Sequence, residues 1–251
     1  MSAGKVALVS GAGQGLGRAI ALRLAAGRAR VAVNDREPSP GVDEVVAETG
    51  GMAAVADVSD PAAVERMVDE VERTLGPVDV LVANHAYMTM APFADHDPGD
   101  WWRNVDVNLS GTFFLVRAVL PGMRRRDGGR IVIIASEFGV MGWANATAYA
   151  ASKAGLISLT KTLGRELAPE GILVNAIAPG VMDTQQLDVD AADAGVSSEE
   201  IRRRYAAKSP IGRVGRPEEV AAVAAFLAGD EAGAFVGQIL QPNGGTTRGF
   251  A

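Results

Sequence analysis

Apolar and polar positions alternate along the chain in two patterns. Seven short runs are apolar almost throughout and rich in β-branched residues: KVALVS (5–10), ARVAVND (29–35), MAAVADV (52–58), VDVLVAN (78–84), RIVIIAS (130–136), ILVNAIA (172–178) and GQILQP (237–242). Strands that lack a polar face suit a parallel sheet covered on both sides. Between them, residues 15–27, 61–75, 100–126, 148–169 and 217–228 carry apolar side chains at helical spacing. Pro61 and Pro217 stand where a first helical turn tolerates proline. Repeated strand-helix units predict an α/β fold: a doubly wound parallel sheet of about seven strands, with right-handed crossovers and helices on both faces. Ligands of such sheets gather beyond the C-terminal ends of the strands, so residues there matter most.

The 251 residues show no linker-like shift in composition and no internal repeat, so one domain over 1–251 is expected. Hydrophobic residues make up 48% and charged residues 22%, enough for a large core. The net charge of −6 disfavours capture of nucleic acid or of an anionic membrane, since both need a basic face. The arginine clusters at 124–126 and 202–204 read as solvated helix surface. With no cysteine, disulfides, thiolate zinc sites and cysteine nucleophiles are excluded. The two histidines, His85 and His96, make a metal site an unfavoured expectation. The first apolar run is too short for a signal peptide, and none approaches the ~18 residues of a membrane span. A soluble, cytoplasmic protein with no nucleic-acid or membrane partner is the expectation.

The segment VALVSGAGQGLGRAIA puts Gly11, Gly15 and Gly17 between the first strand and the first helix. Glycines at this junction allow a tight turn, close backbone approach to a pyrophosphate, and an anion at a helix N-terminus. The spacing GxxxGxG brings Gln14 and Leu16 into the same loop. Asp35 ends the second strand 18 residues after Gly17, near the ~20 expected of an acid that binds an adenosine ribose. Its carboxylate would repel a 2′-phosphate, whereas the adjacent Arg36 would attract one. On this basis NAD is expected, with NADP less favoured. Asp57 and Val58, at the end of the third strand, are placed to meet the adenine.

ATAYAASKAG places Tyr149 and Lys153 four residues apart, on one face of a helix, and Ser136 ends an apolar strand thirteen residues upstream. Together they make a proton-transfer site: a phenol as acid or base, an ammonium as electrostatic tuner, a hydroxyl as anchor for a carbonyl oxygen. Bringing a tyrosine from its usual pKa of about 10 to near ~7 requires roughly 4 kcal/mol of preferential phenolate stabilisation. A desolvated lysine and a positive nicotinamide ring are expected to supply it.

These motifs resemble the short-chain dehydrogenase/reductase family along essentially the whole chain. The matching segments are SGAGQGLG (10–17), DV (57–58), NHA (84–86), VNL (107–109), Ser136, YAASK (149–153), NAIAPGVMDT (175–184) and GQILQPNGG (237–245). The resemblance implies a single Rossmann-type domain and an oxidoreductase that moves a hydride between a nicotinamide cofactor and a secondary alcohol or ketone. It implies Tyr149 as general acid/base, Lys153 as its tuner and ribose ligand, Ser136 as substrate anchor, and Asn108 as holder of a water that links Lys153 to solvent. Asn84, Pro179, Gly180, Met182 and Thr184 are implied to contact the cofactor. Two other readings stay open: a non-catalytic nucleotide sensor, and a halohydrin-cleaving relative, a group that lacks the glycine loop and has arginine at the Lys153 position.

The chain also departs from the pattern. Ser10 replaces a usual threonine but keeps a hydroxyl that can brace the loop, and the usual Asn-Ala-Gly reads Asn84-His85-Ala86, which adds an imidazole near the cofactor ribose. Tyr87, Glu137, Phe138, Met141 and Trp143 are candidates for the substrate pocket, joined by Met88 and Met182. They favour a ketone with a hydrophobic body, with Glu137 available to a hydroxyl or amine. Residues 185–210 break the strand-helix rhythm and resemble a mobile substrate lid. The resemblance further implies a homotetramer or homodimer built on the long helices at 100–126 and 148–169.

Overall fold

The computed structural model describes residues 4–247; the ends of the expected domain, residues 1–3 and 248–251, lie outside the described residues. Strands β1 (Val6–Val9), β2 (Arg30–Val33), β3 (Met52–Ala53), β4 (Val80–Ala83), β5 (Gly129–Ile134), β6 (Ile172–Ile177) and β7 (Ile239–Leu240) form one sheet in the order β3-β2-β1-β4-β5-β6-β7. Every pairing is parallel. The order reverses between β1 and β4, and such a switch point opens a crevice above the strand ends.

Successive residues of each strand point to opposite faces, and both faces are covered, which is why the strands read as apolar throughout. On one face Val6, Leu8, Leu81, Ile131 and Val174 pack against α3 (Pro61–Leu75), α5 (Gly111–Arg124) and α7 (Thr147–Leu167). On the other, Ala7, Val9, Val82, Val132 and Ile134 meet α1 (Gly15–Ala26), α2 (Pro40–Thr49) and α10 (Pro217–Leu227). Each fully buried Val, Leu or Ile contributes about 1.5–3 kcal/mol. These two layers therefore dominate the stability of the fold.

Three features depart from expectation. First, the strand expected at 52–58 is regular only over Met52–Ala53: beyond it the Ala54 and Ala56 amides still donate to the Val33 and Asp35 carbonyls at 2.9 and 3.0 Å, but their own carbonyls accept from the buried Asn34 amide at 2.8 and 3.2 Å. Asp57 accordingly sits in a loop.

Second, α2 was not anticipated. Its Pro38-Ser39-Pro40-Gly41 start reads as a turn, yet the Ser39 hydroxyl caps it by accepting from the Val42 amide at 3.3 Å, with Pro40 in the first turn.

Third, the helix expected over 100–126 is three pieces: α4 (Pro98–Val105), a π turn (Asp106–Ser110) and α5. The Gly111 amide donates five residues back, to the Asp106 carbonyl.

Residues 185–210 hold two helices, α8 (Gln186–Asp193) and α9 (Ser198–Ala206), with a small core of Leu187, Ala191 and Ile201. The short helix α6 (Phe138–Met141) follows β5. Among the described residues no helix is long and apolar enough to cross a membrane.

Candidate active site

The ends of β1, β2, β4, β5 and β6 surround a cleft of about 1510 Å³. Gly11, Gln14, Gly15, Leu16 and Gly17 form its floor. The turn needs its glycines: a Cβ on Gly17 would stand 2.0 Å from the Gly11 oxygen, and Gly11 and Gly15 take φ of 59° and 53°. Gln14 precedes α1 without a side-chain cap, so the first amides of that helix remain available to an anion. A phosphate-bearing dinucleotide fits this cradle.

Beyond the end of β2, Asp35 accepts from the Gly13 amide at 3.2 Å and the Arg36 amide at 2.8 Å, which ties its carboxylate to the loop backbone. Arg36 is exposed beside it and pairs with Glu37 at 2.8 Å. Burial pushes the Asp57 carboxyl up, but two hydrogen bonds from Ser59, with Arg36 and Arg103 nearby, outweigh burial and hold it below the usual range. Val58 lies buried next to it. Asn84 donates to the carbonyls of Ser10 and Gly11 at 3.1 and 3.0 Å, which fixes the loop to β4.

At the other end Pro179, Gly180 and Met182 line the cleft, and Met182 bridges to Gly215. Thr184 leans over the glycine loop, its Cβ 3.6 Å from where a Gly15 side chain would begin.

Ser136, Tyr149 and Lys153 converge where β5 ends and α7 passes. The Ser136 hydroxyl faces the Tyr149 phenol and favours its ionisation, and it accepts from the Phe138 amide at 3.1 Å. Lys153 is buried, and its Nζ donates to the Ile134 carbonyl at 2.8 Å. Burial holds the Lys153 ammonium down to about 7. Burial pushes Tyr149 up to about 12, against the opposing effect of the Ser136 hydroxyl. Without a cofactor the enclosed phenol resists ionisation; the lowering expected above depends on a full positive charge close to it.

Asn108 lies behind this group, in the π turn, and not on the cleft wall. It accepts from the Tyr87 amide at 2.7 Å and donates to the Tyr87 carbonyl and the Ser152 hydroxyl, both at 2.9 Å.

The substrate candidates separate. Tyr87, Met88, Glu137 and Phe138 line the main cleft, whereas Met141 and Trp143 line a smaller pocket of about 110 Å³ behind it, which Glu137 shares. The Phe138 and Trp143 rings stack at 4.6 Å and form the partition. Glu137 accepts from the Thr246 hydroxyl, a contact between the start of α6 and the C-terminal segment.

Gly13, Arg18, Arg103, Leu187 and Tyr205 also line the cleft and were not singled out from sequence. Gly13 carried a signal, since it sits inside the glycine loop and a Cβ there would meet Asp35 at 2.8 Å. The others come from helix faces and from the 185–210 segment, which only folding brings to the site.

The fold and site define a dinucleotide-dependent oxidoreductase of the Rossmann type. A family model described as enoyl-(acyl carrier protein) reductase matches residues 11–247. The chain belongs to the short-chain dehydrogenase/reductase family, whose members act on CH–OH or ketone groups. It is 39% identical over 245 residues to 3-oxoacyl-(acyl-carrier-protein) reductase FabG of Escherichia coli, covering 96% of this chain and 97% of that protein. It is 37% identical over 241 residues to acetoacetyl-CoA reductase of Shinella zoogloeoides, covering 96% and 98%. Levodione reductase superposes with a TM-score of 0.93 at 31% identity, over 98% of both chains.

The expected preference for NAD is corrected by these relatives. The FabG reductases and acetoacetyl-CoA reductase are NADPH-dependent and point to NADP. The Asp35-Arg36 pair is compatible with this: two backbone amides partly offset the Asp35 charge, and the exposed Arg36 guanidinium stands at the same rim. Proximity of an acid to the ribose end is therefore not enough to exclude a 2′-phosphate.

Proposed function

We propose that this protein is an NADP(H)-dependent ketone reductase, acting in reverse as a secondary alcohol dehydrogenase, with Tyr149 as general acid/base. The observation that carries the reading is the convergence of Ser136, Tyr149 and Lys153 at the end of β5, beside a glycine cradle that fits a dinucleotide. When bound, the dinucleotide supplies or takes the hydride.

The chain's own residues then handle the oxygen and the proton. Ser136 holds the substrate oxygen, and Tyr149 donates its phenolic proton to it in reduction or accepts one in oxidation. Lys153 has donors to spare beyond Ile134 and binds the nicotinamide ribose, so its charge comes to lie beside the phenol. Asn108 anchors the route by which the proton is replaced from solvent. The halohydrin-cleaving alternative is disfavoured by the intact glycine loop and by Lys153.

The domain is proposed to be single, with α8 and α9 as the lid. Leu187 and Tyr205 reach the cleft from these helices, and closure would exclude water from hydride transfer. A homodimer or homotetramer is proposed on α4 and α5, where Trp102 and Phe113 are 60% and 48% exposed. The cleft wall of Tyr87, Met88 and Phe138 favours a ketone with a hydrophobic body, and the relatives add 3-oxoacyl thioesters and cyclic diketones as substrate classes.

The test is a panel of acetoacetyl-CoA, a cyclic diketone and simple ketones, each with NADPH and NADH. Turnover with NADPH is expected. Nucleotide binding without turnover of any carbonyl would favour the sensor reading, and a wide preference for NADH would overturn the cofactor assignment.

A further inference from the structure

We propose that His85 is a positioning residue: its imidazole joins the Ser10 hydroxyl at the end of β1 to the carbonyl left over by the π turn, and so holds Asn108 in register with Lys153. The inference rests on the proton-transfer reading of Tyr149, Lys153 and Asn108.

The hydrogen-bond network assigns the tautomer. Ser10 Oγ accepts from the amides of Asn84 at 3.0 Å and His85 at 3.2 Å, and its single proton has two acceptors, the Val82 carbonyl at 3.5 Å and His85 Nδ1 at 2.7 Å, of which the ring is much the nearer. Nδ1 is then the acceptor, and Nε2 carries the ring proton. On that side stands Thr112 Oγ1 at 3.4 Å, whose own proton goes to the Asn108 carbonyl at 2.8 Å, so Thr112 can only accept from the ring. The carbonyls of Val107 and Asn108 also face the ring and favour a proton on it, so the one Nε2 proton is shared among them and the Thr112 oxygen.

The π turn explains why a donor is wanted there. In an α-helix the Gly111 amide would serve the Val107 carbonyl, four residues back. Here it donates to the Asp106 carbonyl instead, which leaves the Val107 carbonyl without that amide. An unpartnered buried carbonyl costs about 1–3 kcal/mol, and annealing the turn to a regular helix would remove the cost by rotating Asn108 away. The imidazole Nε2–H, which stands against the turn, is the donor within reach of that carbonyl. Room for it is made by Gly111, where a Cβ would stand 3.1 Å from Nε2. From the π turn the connection continues through the Asn108 amide to Ser152, the neighbour of Lys153 on α7.

The environment of the ring disfavours a proton-carrying role. Burial, with Lys153 nearby, holds the His85 imidazole down to about 3, which favours the neutral ring near neutral pH. Its contribution is made through hydrogen bonds alone.

The experiment compares His85→Leu, which fills the space without a donor, with His85→Gln, which keeps an N–H. Amide hydrogen exchange over residues 106–112 is read without substrate, and kcat and the KM for NADPH are read with the ketone that the wild type turns over. The expected result is about tenfold faster exchange and about tenfold lower kcat for the Leu variant, with the KM for NADPH within about twofold and the Gln variant near wild type. Unchanged exchange in the Leu variant, or equal losses in both variants, overturns the proposal. Should the Leu variant fail to fold, His85→Ala with and without free imidazole decides the matter: rescue supports the role, and no rescue overturns it. Exchange reads the linkage independently of catalysis, so a wild type inactive on every ketone would sink the proton-transfer reading and leave this result standing.

Discussion

The Nζ of Lys153 stands 5.5 Å from the centroid of the Tyr149 ring while it donates to the Ile134 carbonyl at 2.8 Å. The ammonium is thus aimed partly at the backbone of β5, and burial works against the charged form of both side chains. The pair is held ready for a ligand that brings hydroxyl groups and charge. Its cost falls on the ligand-free protein.

That cost has a definite pH dependence. Lys153 is held down to about 7 from its ordinary 10.5, so below pH 7 the folded protein carries a buried charge that the unfolded chain solvates freely. As pH rises from 7 toward 10.5, the unfolded state holds more protons than the folded one, and stability from this group increases. Tyr149, raised from 10.0 to about 12, acts oppositely and only above pH 10. In cofactor-free protein the melting temperature of Lys153→Met relative to wild type is expected to be highest near pH 6 and to fall steadily to pH 10. Calorimetry across that range checks the slope; a pH-independent difference would refute it.

Tyr149→Phe removes the phenolic proton and nothing that touches the glycine loop. Turnover is expected to fall by at least about a thousandfold, at the strong end of what general acid/base groups contribute. Affinity for NADPH, measured by fluorescence titration, should change by less than about threefold. Retained turnover would mean that another group transfers the proton.

Arg36→Ala tests the adenosine end. Loss of an exposed guanidinium beside a 2′-phosphate should weaken NADPH binding by about tenfold while NADH binding changes little, since one charge-assisted hydrogen bond is worth about 1.5–3 kcal/mol at most. Parallel titrations give the ratio. Equal weakening of both nucleotides would place Arg36 on the adenine instead.

Gly17→Ala adds one methyl group 2.0 Å from the Gly11 oxygen. The loop must open, so a loss of about 1–3 kcal/mol in stability is expected together with a severe loss of cofactor binding. Thermal melts with and without NADPH check both: the ligand-induced rise in melting temperature should nearly vanish.

The apolar runs determined the sheet, because strands covered on both faces cannot afford polar positions. The glycine spacing determined the cradle, because no Cβ fits at Gly17, and the Tyr149-Lys153 interval placed both side chains on one helical face. Sequence also led to His85 as a departure without telling what it does. Tertiary structure alone decided three matters. Asn34 takes up the carbonyls that follow β3, through amide bonds to residues twenty and twenty-two positions away. The π turn divides the helix expected over 100–126, and the imidazole packed into it comes from β4's far end. Phe138 and Trp143 stack to split the expected single pocket in two. Local spacing encodes periodicity and steric need; hydrogen bonds and stacking between distant segments depend on which surfaces meet, and only the folded chain brings them together.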